Sequence, residues 1–165
     1  MAVPDIVLFP DPRLRAVADV VTAFDDALVA AADALIDALR GANAVGITGP
    51  HIGVMQRIVV LSLPDMTVPQ VYINPEVIWT SSETLQHDEG SVSMPGVVEK
   101  LTRAQRVRVR YRDLDGQERI EEAEGFLAVC HQHEIDQLNG IFWIDRLSPL
   151  KRERTVTRFK KLHRA

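Results

Sequence analysis

The run LAVCHQHEIDQLNG, from Leu127 to Gly140, restricts the possible folds more than any other part of the chain. With Gly125 and Phe126 ahead of it the segment is too long for a strand. It has helical spacing as far as Asn139, with Gly140 placed as the stop. On that helix Phe126, Cys130, His133, Glu134 and Gln137 lie three or four residues apart, with Leu127 and Leu138 at the borders, so three polar side chains share the apolar face. Burying such groups costs ~1–3 kcal/mol each unless they find partners, which predicts an organised polar pocket beneath a sheet.

His133-Glu134 is the first half of an HExxH metal helix, but the position of the second His is Gln137. In the intact motif two imidazoles hold the metal and the Glu takes a proton from metal-bound water. An amide oxygen is a weak, neutral donor to zinc or iron. His131 lies two residues from His133 and points to roughly the opposite side, whereas Cys130 shares the face of His133, where a Cys130–His133 half-site is sterically open although a lone Cys on an apolar face is more often core. From this segment alone, mutual hydrogen bonding of His133, Glu134 and Gln137 is favoured over a metal site.

The rest of the chain predicts an α+β fold. A first helix is expected over Thr22–Leu39, with Thr22 and Asp25 as its start signal and Gly41 as its left-handed stop. RIVVLSL and QVYINPEVIW read as strands, and RVRVRYRD turns through Asp115-Gly116 into QERIEEA as a hairpin with one wet side. The apolar IFWID is expected to be a strand, and Ser148-Pro149 opens a C-terminal helix. Residues 1–165 are expected to form a single domain, with 148–165 as a basic helix. One cysteine excludes an internal disulfide and a CxxC ribbon, and no segment has a signal-peptide or membrane-spanning pattern, which points to a cytoplasmic protein. The net charge of −4 is uneven: Lys151–Ala165 carries seven Lys or Arg and one Glu, leaving −10 on the remainder. That tail suits either a solvated helix end or RNA phosphates. GITGPHIG lacks the Lys-Ser/Thr ending of a phosphate loop.

Taken in order, FPDPRLRAVADVV, AVGITGPHIGV, DEGSVSMPG and EGFLAVCHQHEIDQLNGIFWIDRLSPLKR resemble the peptide deformylase family over nearly the whole length. AVGITGPHIGV is similar to its GxGLAAPQ motif, DEGSVSMPG to EGCLSxP, and the helix to QHExDHLxG. The family comprises metal hydrolases that remove the formyl group from the N-terminal methionine of new bacterial proteins. The resemblance implies antiparallel sheets wrapped around the inner helix, with iron(II) or zinc held by one Cys and two His.

Carried over, the ligand positions are Ser91, His133 and Gln137, the oxyanion-holding Gln falls on His51, and the general acid/base falls on Glu134. Gly46, Ile47, Thr48, Ser91 and Val92 are the expected substrate-binding positions, through strand addition and turn glycines. Cys130 matches a packing Cys of the family, and Arg103, Val97 and Val98 border its substrate groove. Two of three ligands are absent, so any metal is expected to be weakly bound or lacking, and hydrolysis poor. The expected partners are N-formylated or free peptide N-termini and, through the basic helix, the ribosome; no DNA and no membrane are expected. The alternatives are an active hydrolase with a remodelled site, a metal set of His51, His133 and Glu134, and a Ser91 nucleophile with His133 as its base.

Overall fold

In the computed structural model, which describes residues 3–164, the helix at the centre has almost no free surface. It spans Gly125–Leu138 (α2) and buries Ala128, Val129, Cys130, His131, Glu134, Ile135, Gln137 and Leu138. The expectation of one apolar stripe is therefore corrected: α2 is enclosed on several sides, and Phe126, assigned to the buried face, is 38% exposed. A helix enclosed in this way needs polar partners on every side. His131, on the far face from His133, finds one in Glu121, at 2.5 Å from its Nε2, and Glu121 also accepts from the Tyr72 hydroxyl.

The walls around α2 are antiparallel, as expected. β1 (Gly46–Thr48), β2 (Ile58–Leu61), β3 (Gln70–Thr80), β6 (Arg106–Arg112) and β7 (Glu118–Glu124) form one sheet in the order β1-β2-β3-β6-β7. β4 (Thr84–Ser91) and β5 (Met94–Ala104) form a separate hairpin. Alternation places Val107 and Val109 inward against Ala128 and Ile135 of α2, while arginines and glutamates pair across the outer face of β6 and β7. The β4–β5 hairpin carries no run of β-branched residues on its first strand, TLQHDEGS, so its pairing is not legible from propensity.

The first helix, α1, runs Asp26–Gly41. It begins four residues later than Thr22 because the Asp25 carboxylate accepts from Leu28 N, which fixes the start there. Its last residue is Gly41 itself; the left-handed position falls on Asn43, at φ +52°. IFWID is not a strand. Trp143–Arg146 is a 3-10 turn with Phe142, Trp143 and Ile144 fully enclosed, and Asp145 accepts from Phe142 N at 3.1 Å. A short apolar run fits a buried strand or a buried turn equally. Those aromatics, with Leu14, Met94, Val97, Leu101 and Phe159, make the core that seats the C-terminal helix α3 (Pro149–Leu162), capped by Ser148 as expected.

Gly140 ends α2 at φ +77°, and a Cβ there would lie 2.7 Å from the Arg15 carbonyl oxygen. Gly140→Ala is therefore expected to cost at least about 2 kcal/mol, from left-handed strain plus that backbone contact. Urea unfolding measures it, and a change below about 0.5 kcal/mol would contradict the assigned backbone.

Candidate active site

One cavity, about 450 Å³, opens between the N-terminal end of β1, the β4–β5 hairpin and α2. His51, Glu89, Ser91, Cys130, His133 and Glu134 all face it. Each is brought there by a different local device. β4 delivers Glu89 and Ser91, α2 delivers Cys130, His133 and Glu134 one turn apart, and the 3-10 turn Gly49–Ile52 after β1 delivers His51.

His51 is 1% exposed. Its Nδ1 accepts from Thr48 N at 2.9 Å, so in the neutral ring the hydrogen sits on Nε2, and that nitrogen is buried without a partner. Burial, then the neighbouring His133, hold its pKa down at about 3, so the ring stays neutral. Glu134 is 3% exposed, with Oε1 also unpartnered. Burial is the main influence that pushes its pKa up to about 7, with Glu89 adding and His133 opposing. Gly46 is required beside it: a Cβ at that position would lie 2.7 Å from Glu134 Oε2 and 3.0 Å from Leu61.

His133 turns its two ring nitrogens toward carboxylates, Nδ1 to Glu89 Oε1 at 2.8 Å and Nε2 to Glu134 Oε1 at 3.7 Å. Burial alone would lower its pKa; the Glu89 hydrogen bond and the two carboxylate charges outweigh that and raise it. Glu89 is in turn gripped by Arg103, through Nε and Nη2 at 2.8 Å each, and Arg103 Nη1 reaches Asp136 at 2.7 Å. Burial would raise the Glu89 pKa, but hydrogen bonds from Arg103 and His133 bring it down to about 2. Sequence reasoning placed Arg103 at the substrate groove. It is 6% exposed and stands behind Glu89 as a structural cation, because its fork matches a carboxylate. Glu89 itself was not singled out, although an acid next to Gly90 at the start of a quoted motif was the available signal.

The expected trio of mutually bonded polar groups does not form. Gln137 is 2% exposed, and its amide nitrogen donates to the Leu14 carbonyl at 2.7 Å. The Ser91 hydroxyl accepts from Ser93 N at 3.1 Å. Of the substrate positions Gly46, Ser91 and Val92 face the cavity, while the Ile47 and Thr48 side chains are fully buried. Val97 belongs to the core under α3 and Val98 is exposed, and neither lines the cavity. Among the described residues no three His, Cys, Asp or Glu side chains are placed to hold a metal, which removes the alternative set of His51, His133 and Glu134. Ser91 and His133 are not hydrogen-bonded to each other: the Ser91 hydroxyl accepts from Ser93 N, and His133 Nδ1 is bonded to Glu89.

Comparison with known proteins bears on the same residues. A family model described as polypeptide deformylase matches residues 3–153. A peptide deformylase-like protein of Brucella melitensis is 57% identical over 164 residues, covering 99% of this chain and 100% of the relative. A peptide deformylase of Pseudomonas aeruginosa is 42% identical over 165 residues, covering 99% and 98%. The crystal structure of peptide deformylase from Ehrlichia chaffeensis in complex with actinonin matches with a TM-score of 0.93 at 34% identity, covering 100% of both chains.

The Glu89 ion pair has a pH signature. Its folded pKa lies below the ordinary 4.5, so its contribution to stability is complete above about pH 4.5 and is lost as pH falls toward about 2. The stability difference between the unaltered protein and Glu89→Gln is therefore expected to shrink across that window in urea unfolding. A difference that stays constant from about pH 5 to 2 contradicts the pairing.

Proposed function

The chain belongs to the polypeptide deformylase family, and from that premise we propose that it keeps the family's cavity for a peptide N-terminus without a firm metal grip, binding N-formylated or free N-termini with little hydrolysis. The observation that carries this is the engagement of the two replaced ligand positions. Gln137 spends its amide nitrogen on Leu14, and Ser91 presents a hydroxyl that already accepts from Ser93 N. A hydroxyl is not ionised near neutral pH and an amide oxygen is a weak donor, so His133 is left as the single strong ligand where a zinc or iron site needs three. Serine and glutamine here do not fit the metal.

The remaining groups support binding. β1 is an edge strand of the main sheet, and its backbone can add an extended peptide. The neutral His51 Nε2–H is a buried donor suited to a carbonyl oxygen. Glu134, beside His133, offers a carboxyl oxygen that can accept from the terminal N–H. The exposed basic residues of α3, such as Arg154, Lys160 and Lys161, extend the proposal to the ribosome, a partner consistent with a cytoplasmic location. Among the described residues no helix is long and apolar enough to cross a membrane.

Metal analysis of protein purified without chelator, beside a formyl-peptide hydrolysis assay, tests the proposal. Sub-stoichiometric metal and negligible turnover are expected, and a full complement of metal with substantial turnover refutes it. Ser91→Cys combined with Gln137→His is expected to raise both metal content and turnover by at least about 100-fold, since it restores a thiolate and an imidazole. Persistent silence in that double variant would place the defect elsewhere in the cavity. Ribosome pelleting is expected to weaken steeply with salt; salt-independent association would remove the α3 part of the proposal.

A further inference from the structure

On roughly the opposite face of α2 from His133, a second cavity of about 540 Å³ opens between the main sheet and the β4–β5 hairpin. Arg57, Thr80, Thr84, Thr102, Asp136 and Arg146 are among the residues that face it. Its charged side chains are Arg57, Arg103 and Arg146 against Glu76 and Asp136, an excess of one cation. The first cavity is the reverse: it holds Asp88, Glu89 and Glu134 and no Lys or Arg. A cationic cleft on a chain of net charge −4 concentrates anions where the rest of the surface repels them.

Two of the three cations are already matched. Arg103 is shared by Glu89 and Asp136, Arg146 holds Asp136 through Nε and Nη2 at 3.0 and 2.9 Å, and Glu76 is held by Arg110. Arg57 is different. It is half-buried, and its hydrogen bonds run to neutral acceptors: Nη1 to the Ala18 and Leu138 carbonyls at 3.4 and 3.0 Å, and Nη2 to Asn139 Oδ1 at 2.6 Å. Among the described residues no carboxylate pairs with it. Leu138 is the last residue of α2, so the compensation at hand is the negative end of that helix, about half an elementary charge. Burial lowers the Arg57 pKa and the Glu76 charge opposes this in part, as expected of a desolvated cation short of counter-charge, although a guanidinium stays protonated at neutral pH. Nε and the second Nη2 hydrogen are left without acceptors among the described residues. They form the side-on edge that grips an oxyanion through two parallel bonds.

The neighbouring donors suit the same ligand. Asp136 and the C-cap residue Asn139 lie three residues apart on one face of the helix end, so Arg146 and Arg57, which they hold, stand side by side. Arg146 keeps its Nη1 hydrogens unspent. Across the cleft Thr84 pairs with Ala104 and Gln86 with Thr102, which puts Thr84 and Thr102 on one face of the hairpin. With Thr80 from β3 they bring three hydroxyls, none bonded to protein among the described residues. Two guanidinium groups and three hydroxyls supply more donors than the two oxygens of a carboxylate use well, whereas a terminal phosphate presents three strong acceptor oxygens. The volume lies within the range of about 300–1,000 Å³ of small-molecule pockets, which leaves space for an organic body.

We propose that this cleft is a second binding site, for a small phosphate monoester, with the phosphate on the free edge of Arg57 and with Arg146 and the threonine hydroxyls completing its hydrogen bonds. The site is separate from the peptide cavity, and the proposal does not depend on what that cavity binds.

Calorimetry on the full chain with glycerol 3-phosphate, lactate and glycerol tests this. Glycerol 3-phosphate is expected to bind with a Kd below about 1 mM, lactate at least about tenfold more weakly, and glycerol not at all. Arg57→Lys keeps the charge and loses the fork, and is expected to weaken the phosphate ester at least about tenfold. Because Arg57 also bonds the end of α2, a second variant leaves that contact intact: Thr84→Val with Thr102→Val, both at exposed positions, is expected to weaken binding several-fold. Circular dichroism checks that each variant is folded. Amide resonances of Thr102, Asn139 and Gly140 are expected to shift on titration. No heat with glycerol 3-phosphate at about 10 mM, lactate binding as tightly, or unchanged affinity in either folded variant overturns the proposal. Shifts confined to Gly46 and Val92 of the first cavity, or to Lys160 and Lys161 of α3, overturn it as well.

Discussion

The Arg103 guanidinium, buried between Glu89 and Asp136, is the contact on which the rest of the site depends. Glu89 belongs to β4, Arg103 to β5 and Asp136 to α2, so one planar cation ties both strands of the hairpin to the central helix. Asp136 is gripped on its other side by Arg146, through Nε and Nη2, which brings in the turn after α2. Burying one of these charges alone would be prohibitive. Together their hydrogen bonds are nearly complete, and removing one member of such a set costs about 3–5 kcal/mol, because its partners stay buried without a counter-charge. The consequence at the cavity is orientation: Glu89, held as an acceptor by the Arg103 fork, requires a hydrogen on His133 Nδ1 and leaves Nε2 facing Glu134.

The same logic explains why the cavity is primed rather than merely empty space between elements. A folded chain satisfies nearly all of its buried polar atoms, and α2 satisfies most of those that meet protein, His131 Nδ1 being an exception. His131 has Glu121, Gln132 bonds the backbone of Ala104, and Gln137 has Leu14. The exceptions on the cavity wall, His51 Nε2 and Glu134 Oε1, lie where a peptide end would lie in the proposed complex. Their desolvation cost is carried by the fold, and a ligand that supplies a carbonyl and an N–H would recover it.

Much of this was legible in the sequence, for reasons that differ from residue to residue. Helical spacing and Gly140 gave α2 its limits to within a residue, because a long element with a positive-φ stop leaves few alternatives. The β6–β7 hairpin followed from strict alternation about Asp115-Gly116. The order of motifs identified the family and hence the convergence of Ser91, His133, Glu134 and His51 on one cavity, which no periodicity could predict. Partners set by tertiary packing were not legible. Nothing local says that Arg103 turns inward to Glu89 rather than outward to solvent, or that Gln137 reaches a carbonyl 123 residues away. IFWID failed for the same reason, since an apolar run states that it is buried and not what shape it takes.

These long-range contacts also bear on how a member of this family could give up a metal and keep its fold. A bound ion joins the hairpin to the central helix, and its loss removes a cross-link as well as a reactant. In this chain side chains span the same junction. Arg103 links β4, β5 and α2, while Gln137, at a ligand position, joins α2 to the N-terminal segment through Leu14. A His in place of Gln137 would have to choose which nitrogen serves the Leu14 carbonyl and which faces the cavity, whereas the amide serves the backbone directly. The proposed loss of metal chemistry therefore exchanges a ligand for a structural hydrogen bond. Selection for binding alone could retain that exchange, because the cavity walls it stabilises are the ones a peptide end would contact.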